Sequence, residues 1–537
     1  MVIRSYSPTN TTNLSRKVAM VLICTLSVNL RSTVHCFLLH RPAGRPISTA
    51  VVLHHQTGCK ALRRFASTTT DTVYPAKLEQ NELVKDAPVI VLQRSRQSKA
   101  FRNGNQLVFT KAIQRGQAPT CALVQVAVDD DVPKKNTTND KNKSASSEKF
   151  QKTEAQPIGW GVWNPDSLYK VRILCHRYLQ PTLYQKITQP EMNTQEALKM
   201  IVQYHVKVAV RKRTALCLPN PGQNTMFRLV NGEGDSLSGL QIDVIDSHVV
   251  VQSSAAWTEV HKELILDAIQ EVTNYDTIVW KVAGSRLKQD GYTGIVTSEK
   301  KDDEEESQTA EAVIALENGV KFRTFPTLDG QKTGVYCDQR ENRHTLSKFT
   351  QGKTVLDLCC FHGGFSLTAL VQGGAISAVG VDSSAAAVEA AKENAKLNNC
   401  DDKASFVQAD ISKYMQSTAA DGGTFDVVCL DPPKLAPTVA SLDKARRKYH
   451  GLNRDAVKLV NPTEGGLLMT CTCSAAMTQK DGGQYFLNMV SEAAQAAGRQ
   501  LTLLSKAGAA SCHTQSPVSW PAGAYLTAAL FYVHPAE

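Results

Sequence analysis

The chain has 537 residues, too many for one compact core, so about three folded units are expected. Hydrophobic residues make up 42% and aromatic residues 6%, which excludes a disordered or fibrous chain, and the apolar run at 18–30 is too short and interrupted to span a bilayer. The net charge of +10 would suggest nucleic acid, but residues 1–70 hold nine Lys or Arg and no acid, while elsewhere 51 basic residues face 50 acidic ones. The basicity belongs to the leader and gives no argument for RNA binding.

Residues 1–72, Ser/Thr- and Arg-rich with no acid before Asp71, read as an organelle-targeting leader, outside any fold. Lys17 and the apolar stretch after it have the charged and apolar regions of a signal peptide. With the basic segment opening on Phe37, they resemble the two-part address of proteins sent to complex plastids. A mitochondrial presequence ending near Arg63, Arg64 and Phe65 is the simpler alternative, so plastid or mitochondrion stays open. Three of the fourteen cysteines, Cys24, Cys36 and Cys59, lie in the leader. The other eleven show no metal-binding spacing, which predicts buried thiols in a reduced compartment and no metal site.

From 88 to 172, short apolar segments broken by Gly and Pro (VIVLQ, LVFTKAI, ALVQVAV, IGWGVWNP, YKVRIL) predict a small all-β unit. An almost wholly polar stretch at 129–156 interrupts it and reads as a disordered insertion. From 173 to 325 a helical stretch is followed by paired strands, a helix and another strand, an α+β unit carrying a charged loop at 299–309. From 330 to 537, strands TVLDLCC, SAVGVD, SFVQAD, DVVCLDPP and GLLMTCTCS alternate with amphipathic helices. That alternation specifies a parallel sheet covered on both faces, with ligands at the carboxyl ends of its strands.

The chemistry-bearing residues sit at those ends. Asp357 and Gly363 lie at the end of the first strand and in the Gly-rich turn after it, where a backbone can approach a ligand closely; the turn lacks the Lys of a phosphate loop. Asp382 ends the second strand, where a carboxylate can accept from both ribose hydroxyls, and Asp410 ends the third, where it can reach an adenine amino group. Together they describe a pocket for a nucleoside cofactor without pyrophosphate, which points to S-adenosylmethionine. Asp431, ahead of two prolines, can hold a base edge or a polar group of the cofactor. Cys473, at the end of the fifth strand, is a candidate nucleophile; Cys359, Cys360, Cys429 and Cys471 read as core.

The segments GQKTGVYCDQRENR (330–343), VLDLCCFHGGFSLTA (355–369), VVCLDPPKLAP (427–437) and LLMTCTCS (467–474) resemble the class I methyltransferase domain of the large-subunit rRNA cytosine-C5 methyltransferases. The 227–246 segment and the all-β unit are similar to the parts that precede that domain, including an RNA-binding PUA barrel. The resemblance implies a Rossmann-like α/β domain with a seven-stranded sheet, preceded by an α+β domain and a small PUA-like β-barrel. It places Asp357 and Gly363 at the cofactor's methionine end, Asp382 on ribose, Asp410 on adenine, Asp431 over the methyl group and Cys473 as nucleophile. Gln339, Asn342 and Arg343 would close the pocket. Ribosomal RNA is the implied partner, a homodimer is implied by the resemblance alone, and no membrane partner is expected. Cys359 and His362 depart from the family's usual aromatic and Thr in the first loop.

Addition of the Cys473 thiolate to cytosine C6 would make C5 nucleophilic enough to accept a methyl group. Asp431 would hold the N3/N4 edge of a base taken out of its helix. Lys444, Arg446, Arg447 and Lys448, with Tyr449, could contact RNA phosphates and a base; a solvated helix face is the equal alternative. The alternatives are an RNA guanine N-methyltransferase, which needs no thiol, and a non-catalytic RNA-binding assembly factor.

Overall fold

The computed structural model describes residues 82–93, 96–129, 155–294, 311–327 and 336–537. The leader, most of the polar insertion, the charged loop at 299–309 and residues 328–335 lie outside the described residues.

The Gly- and Pro-broken apolar segments form six strands: β1 (Val89–Leu92), β2 (Leu107–Phe109), β3 (Ile113–Arg115), β4 (Leu123–Val128), β5 (Gln156–Trp163) and β6 (Tyr169–His176). Their order is β2-β6-β5-β4-β1-β3, with β1 and β4 parallel and the other pairs antiparallel. Ile90, Val124, Val126, Ile158, Val171 and Ile173 close a core of their own. β6 continues past the expected boundary at 172.

The next unit opens with the 22-residue helix Thr194–Ala215, where Asn193 caps the amino end by accepting from the Gln195 amide. Its buried face, Leu198, Ile201, Val202, Val206 and Ala209, follows helical spacing. Beside it lies a sheet of β7 (Met226–Asn231), β8 (Leu240–Ile245), β9 (His248–Ser253) and β10 (Thr277–Val282), in the order β10-β9-β8-β7. One hydrophobic cluster joins Trp160 and Leu174 of the first sheet to Ile201, Leu240 and Ile269, so the two units share a core. Buried Asp290 adds a polar tie, accepting from Arg172 (2.6 Å), Ser167 and the Ala256 amide (2.8 Å).

The hairpin β11 (Val313–Glu317) and β12 (Val320–Thr324) differs from its expected place in the 173–325 unit. Ala315, Val320 and Phe322 pack in one cluster with Val355, Leu367 and Val427 of the large sheet. Two-residue alternation marks these strands as half-buried; it does not say which core receives them.

The large sheet comprises β13 (Thr354–Leu358), β14 (Ser377–Asp382), β15 (Ala404–Gln408), β16 (Val427–Leu430), β17 (Gly466–Thr472), β18 (Leu501–Ala507) and β19 (Thr527–Val533). Its seven strands run β15-β14-β13-β16-β17-β19-β18, and β19 is antiparallel to both neighbours. The order reverses at β13, which pairs with β14 on one side and β16 on the other. That reversal opens a crevice beyond their carboxyl ends.

The connection from β18 to β19 (508–526) ties all three units together. The Arg213 guanidinium, ion-paired to buried Asp235 at 2.8 Å, donates to the Cys512 carbonyl at 2.6 Å. Thr514 Oγ1 donates to Asp235 at 2.7 Å, and a side chain at Gly234 would meet the Thr514 carbonyl 2.1 Å away. Ser519 Oγ donates to the Gly104 carbonyl and accepts from the Gln106 amide.

Candidate active site

After β13 the chain turns within six residues into the helix Gly364–Val371, with left-handed backbone at Cys359 (φ 65°), Phe361 (φ 48°) and Gly363 (φ 84°). A side chain at Gly363 would sit 3.1 Å from the Phe406 ring and 3.2 Å from Leu367, so both conformation and space require glycine. Asp357 is fully buried, and its Oδ2 accepts from the Ser366 amide and hydroxyl, both at 2.9 Å. Burial raises its pKa to about 6, against the lowering effects of Ser366 and Arg343. Its Oδ1 has no protein partner.

Asp382, half-buried at the end of β14, accepts from the Phe361 amide (3.0 Å) and the Ser384 amide (2.9 Å), which holds the turn against the second strand. Asp410 is exposed and caps the helix Ile411–Ala420, its Oδ1 accepting from the Ser412 and Lys413 amides. Cys359 and Cys360 carry thiols pushed well up by burial. His362 packs as an aromatic filler, with ring centroids 4.9 Å from Phe322 and 4.6 Å from Phe361, and burial lowers its pKa to about 3.

The other side of the crevice carries different chemistry. The Asp431 amide donates to the Leu358 carbonyl at 3.2 Å, joining the ends of β16 and β13. Its carboxyl is raised to about 7 by burial and by the neighbouring Asp338, with Arg343 and Gln339 acting in the opposite direction. Cys473, one residue beyond β17, is half-buried, whereas Cys471 and Cys429 are sealed in the sheet with thiols held far above their usual range. Burial raises the pKa of Tyr336, and the charges of Asp338, Cys473, Asp431 and Asp382 push it in the same direction. The Tyr336 ring meets Phe361 edge-to-face at 5.0 Å.

The residues expected to close the pocket divide in role. Gln339 is 2% exposed, and its Nε2 finds no partner in hydrogen-bonding geometry, yet it lies close enough to lower the Asp431 pKa. Asn342 stands behind it, donating to Gln339 Oε1 at 2.6 Å and to the Gly508 carbonyl at 3.0 Å. Arg343 forms a buried ion pair with Glu317 of β11 at 2.7 Å and lies against Gly364, where an added Cβ would be 2.5 Å from its Nε.

Two site residues were not singled out from the sequence. Asp338 is 4% exposed, and its Oδ2 accepts from the Tyr525 hydroxyl at 2.7 Å. The acid next to Gln339 in GQKTGVYCDQRENR was the available signal for Asp338; Tyr525, 187 residues away, had none. Tyr449 corrects an expectation. It is fully buried, its oxygen accepting from Thr472 Oγ1 at 2.9 Å and its ring against Phe486, so it cannot contact RNA. Of its basic neighbours, Lys444, Arg447 and Lys448 are exposed and Arg446 pairs with Glu492.

Residues 297–499 match the S-adenosylmethionine-dependent methyltransferase family. Ribosomal RNA large subunit methyltransferase I of Tolumonas auensis is 35% identical over 310 residues, 57% of this chain and 74% of the relative. Its counterpart in Aeromonas salmonicida is 36% identical over 306 residues, 56% of this chain and 73% of the relative. The chain belongs to the ribosomal RNA large subunit methyltransferase I family. Two solved chains assigned as methyltransferases, one complexed with S-adenosylhomocysteine and one from Streptococcus mutans, are 19% identical with TM-scores of 0.60 and 0.59. They cover 83% and 82% of this chain and 99% and 100% of their own, which establishes a shared fold.

As a member of this family the protein is an S-adenosylmethionine-dependent methyltransferase. Its crevice fits that cofactor: Asp357 Oδ1 and Gln339 Nε2 are buried polar atoms without a hydrogen-bond partner in the protein. Among the described residues, no group of three or more His, Cys, Asp or Glu could hold a metal ion, and no helix is long and apolar enough to cross a membrane.

Proposed function

We propose that the protein forms 5-methylcytosine in large-subunit ribosomal RNA, with Cys473 as nucleophile. The observation that carries this reading is the half-buried Cys473 thiol just past the carboxyl end of β17, on the same rim as Asp431 just past β16, while Cys471 two residues earlier is sealed in the sheet. Amine methylation needs an oriented lone pair and gives such a thiol no task. The names of the family's relatives support ribosomal RNA as the substrate.

Asp357 and Gly363 hold the methionine end of the cofactor, Asp382 its ribose and Asp410, through the oxygen its cap leaves over, the adenine. Gln339 faces the cofactor from the preceding turn, with Asn342 and Arg343 bracing it. When bound, S-adenosylmethionine supplies an electrophilic methyl group. Cytosine C5 is a weak nucleophile, so the Cys473 thiolate adds to C6, forming an S–C6 bond and shifting the C5–C6 π electrons to C5. Asp431, near neutrality at a pKa of about 7, donates a hydrogen bond to N3 and offsets the charge that develops on the ring. Once C5 carries the methyl group, a base removes its proton, the C5–C6 double bond re-forms and the thiolate leaves.

The six-stranded unit acts as a PUA-like RNA-binding domain on this reading, and residues 1–72 direct the protein to an organelle, plastid or mitochondrion. The test is nucleoside mass spectrometry of undermethylated large-subunit rRNA incubated with S-adenosylmethionine and either the protein or Cys473→Ala. The expected result is 5-methylcytidine with the unaltered protein and none with the variant. A methylguanosine that survives Cys473→Ala would overturn the proposal.

A further inference from the structure

Away from the crevice, three aromatic rings form a row where the first sheet meets the β18–β19 connection. Phe109 of β2 packs edge-to-face on Tyr169 of β6 with centroids 5.2 Å apart, and Tyr169 packs edge-to-face on Trp520 at 6.0 Å. Tyr169 is the inner member, since Arg172 lies over its ring at 5.0 Å. Phe109 is 44% exposed and Trp520 half-buried, so the outer rings keep accessible surface; Leu168 and Val518 beside them are 62% and 53% exposed.

The row is anchored on both sides. Ser519, next to Trp520, is buried and bonds to Gly104 and Gln106 just ahead of β2, at 2.9 and 3.1 Å. Beyond Trp520 the turn Pro521–Gly523 is held by Gln479, whose amide donates to the Pro521 carbonyl at 2.6 Å and the Ala524 carbonyl at 3.1 Å. Gln479 ends the helix Ala475–Gln479 that follows Cys473 directly. A continuous path of bonded residues therefore leads from the nucleophile to the aromatic row. Exposed Lys111 stands two residues from Phe109, and half-exposed Lys170 adjoins Tyr169.

We infer that the exposed rings of Phe109 and Trp520, set against Tyr169, form a stacking platform for single-stranded RNA flanking the target nucleotide, with Lys111 meeting its phosphates. The inference rests on the RNA-methyltransferase reading above and names the surface that receives the rest of the substrate. Exposed rigid rings favour bases over a peptide, because every base offers a π-face whatever its sequence, and the Lys111 ammonium matches the backbone charge. A target displaced from its helix leaves such unpaired neighbours beside it.

The test titrates the full chain with a 12-nucleotide single-stranded RNA, a trinucleotide and a 12-base-pair duplex while following tryptophan emission. Trp160, Trp163 and Trp257 are buried and Trp280 is half-buried, so a contact at Trp520 is read as the difference between the protein and Trp520→Phe, which removes that indole alone and keeps a ring against Tyr169. The single-stranded 12-mer is expected to quench a component missing from Trp520→Phe, and the trinucleotide and duplex to leave it unchanged. Phe109→Ala with Trp520→Leu is expected to raise KM for undermethylated large-subunit rRNA about tenfold with kcat within about twofold. Equal quenching in the protein and Trp520→Phe, or an unchanged KM in a folded double variant, would overturn the platform. So would Trp520 quenching that follows protein concentration without RNA, which would mark a second copy. Methylation of rRNA without any Trp520 response would reject the platform alone; a Trp520 response without rRNA methylation would reject the substrate reading and keep the platform.

Discussion

At the ends of β13, β14 and β15 the acids are committed to their own backbone: Asp357 to Ser366, Asp382 to Phe361 and Ser384, Asp410 to Ser412 and Lys413. Across the crevice, at β16 and β17, the titratable groups lean on each other instead. Asp431 is lifted by burial and then by Asp338, Asp338 accepts from Tyr525, and Tyr336 is raised by burial and then by Asp338, Cys473 and Asp431. Bonding to amides holds a carboxylate in place, which suits a half that holds a ligand. Crowding like charges in low dielectric moves pKa values toward neutrality, which suits a half that moves protons.

The largest effect that can break this division is at the thiol. Cys473→Ala is expected to lower kcat by at least about a thousandfold, while isothermal titration with S-adenosylmethionine keeps Kd within about threefold. A large loss of cofactor affinity would mean that the two halves are not separate. Next comes the Arg343–Glu317 pair, which underlies both. Glu317→Ala leaves a buried guanidinium alone and is expected to cost about 3–5 kcal/mol in chemical denaturation.

Asp431→Asn sharpens the comparison through pH. The folded protein holds the Asp431 proton up to about pH 7, whereas an unfolded carboxyl releases it near the ordinary value of 3.8. The stability linked to that proton is complete below pH 3.8 and lost as pH rises through 7. The Asn variant escapes that loss, so it should melt higher than the unaltered protein at pH 8, by on the order of 2 kcal/mol, and lose the advantage toward pH 4. Its kcat should fall about a hundredfold or more. A stability advantage independent of pH would contradict the assignment.

The three strand-end acids and Cys473 were readable from the sequence because strict strand–helix alternation puts every strand end on one rim. Asp338 and Tyr525 were not, since only tertiary folding brings positions 187 residues apart into one hydrogen bond. The 311–327 hairpin was not read as strands and fell by range in the 173–325 unit; its period-two burial names a face and no partner, so its core shows only in the fold. Tyr449 was readable and misplaced: with Ala445, Leu452 and Ala456 it follows helical spacing on the buried face of Leu442–Lys458, and its basic neighbours occupy the other face.

The smallest expected effect separates capping from binding at Asp410. Asp410→Ser keeps a helix cap, so stability should stay within about 0.5 kcal/mol. The shorter side chain cannot also reach adenine, so Kd for S-adenosylmethionine should rise about tenfold. An unchanged Kd would leave Asp410 a cap and nothing more.

The most direct test of the central claim uses large-subunit rRNA transcribed with 5-fluorocytidine, whose C5 carries fluorine in place of the proton that must leave. Incubation with S-adenosylmethionine is predicted to trap a denaturation-resistant protein–RNA adduct, with peptide mass spectrometry placing the bond at Cys473. Methyl transfer to unmodified cytosine without any trapped adduct, or an adduct at another residue, would contradict the account.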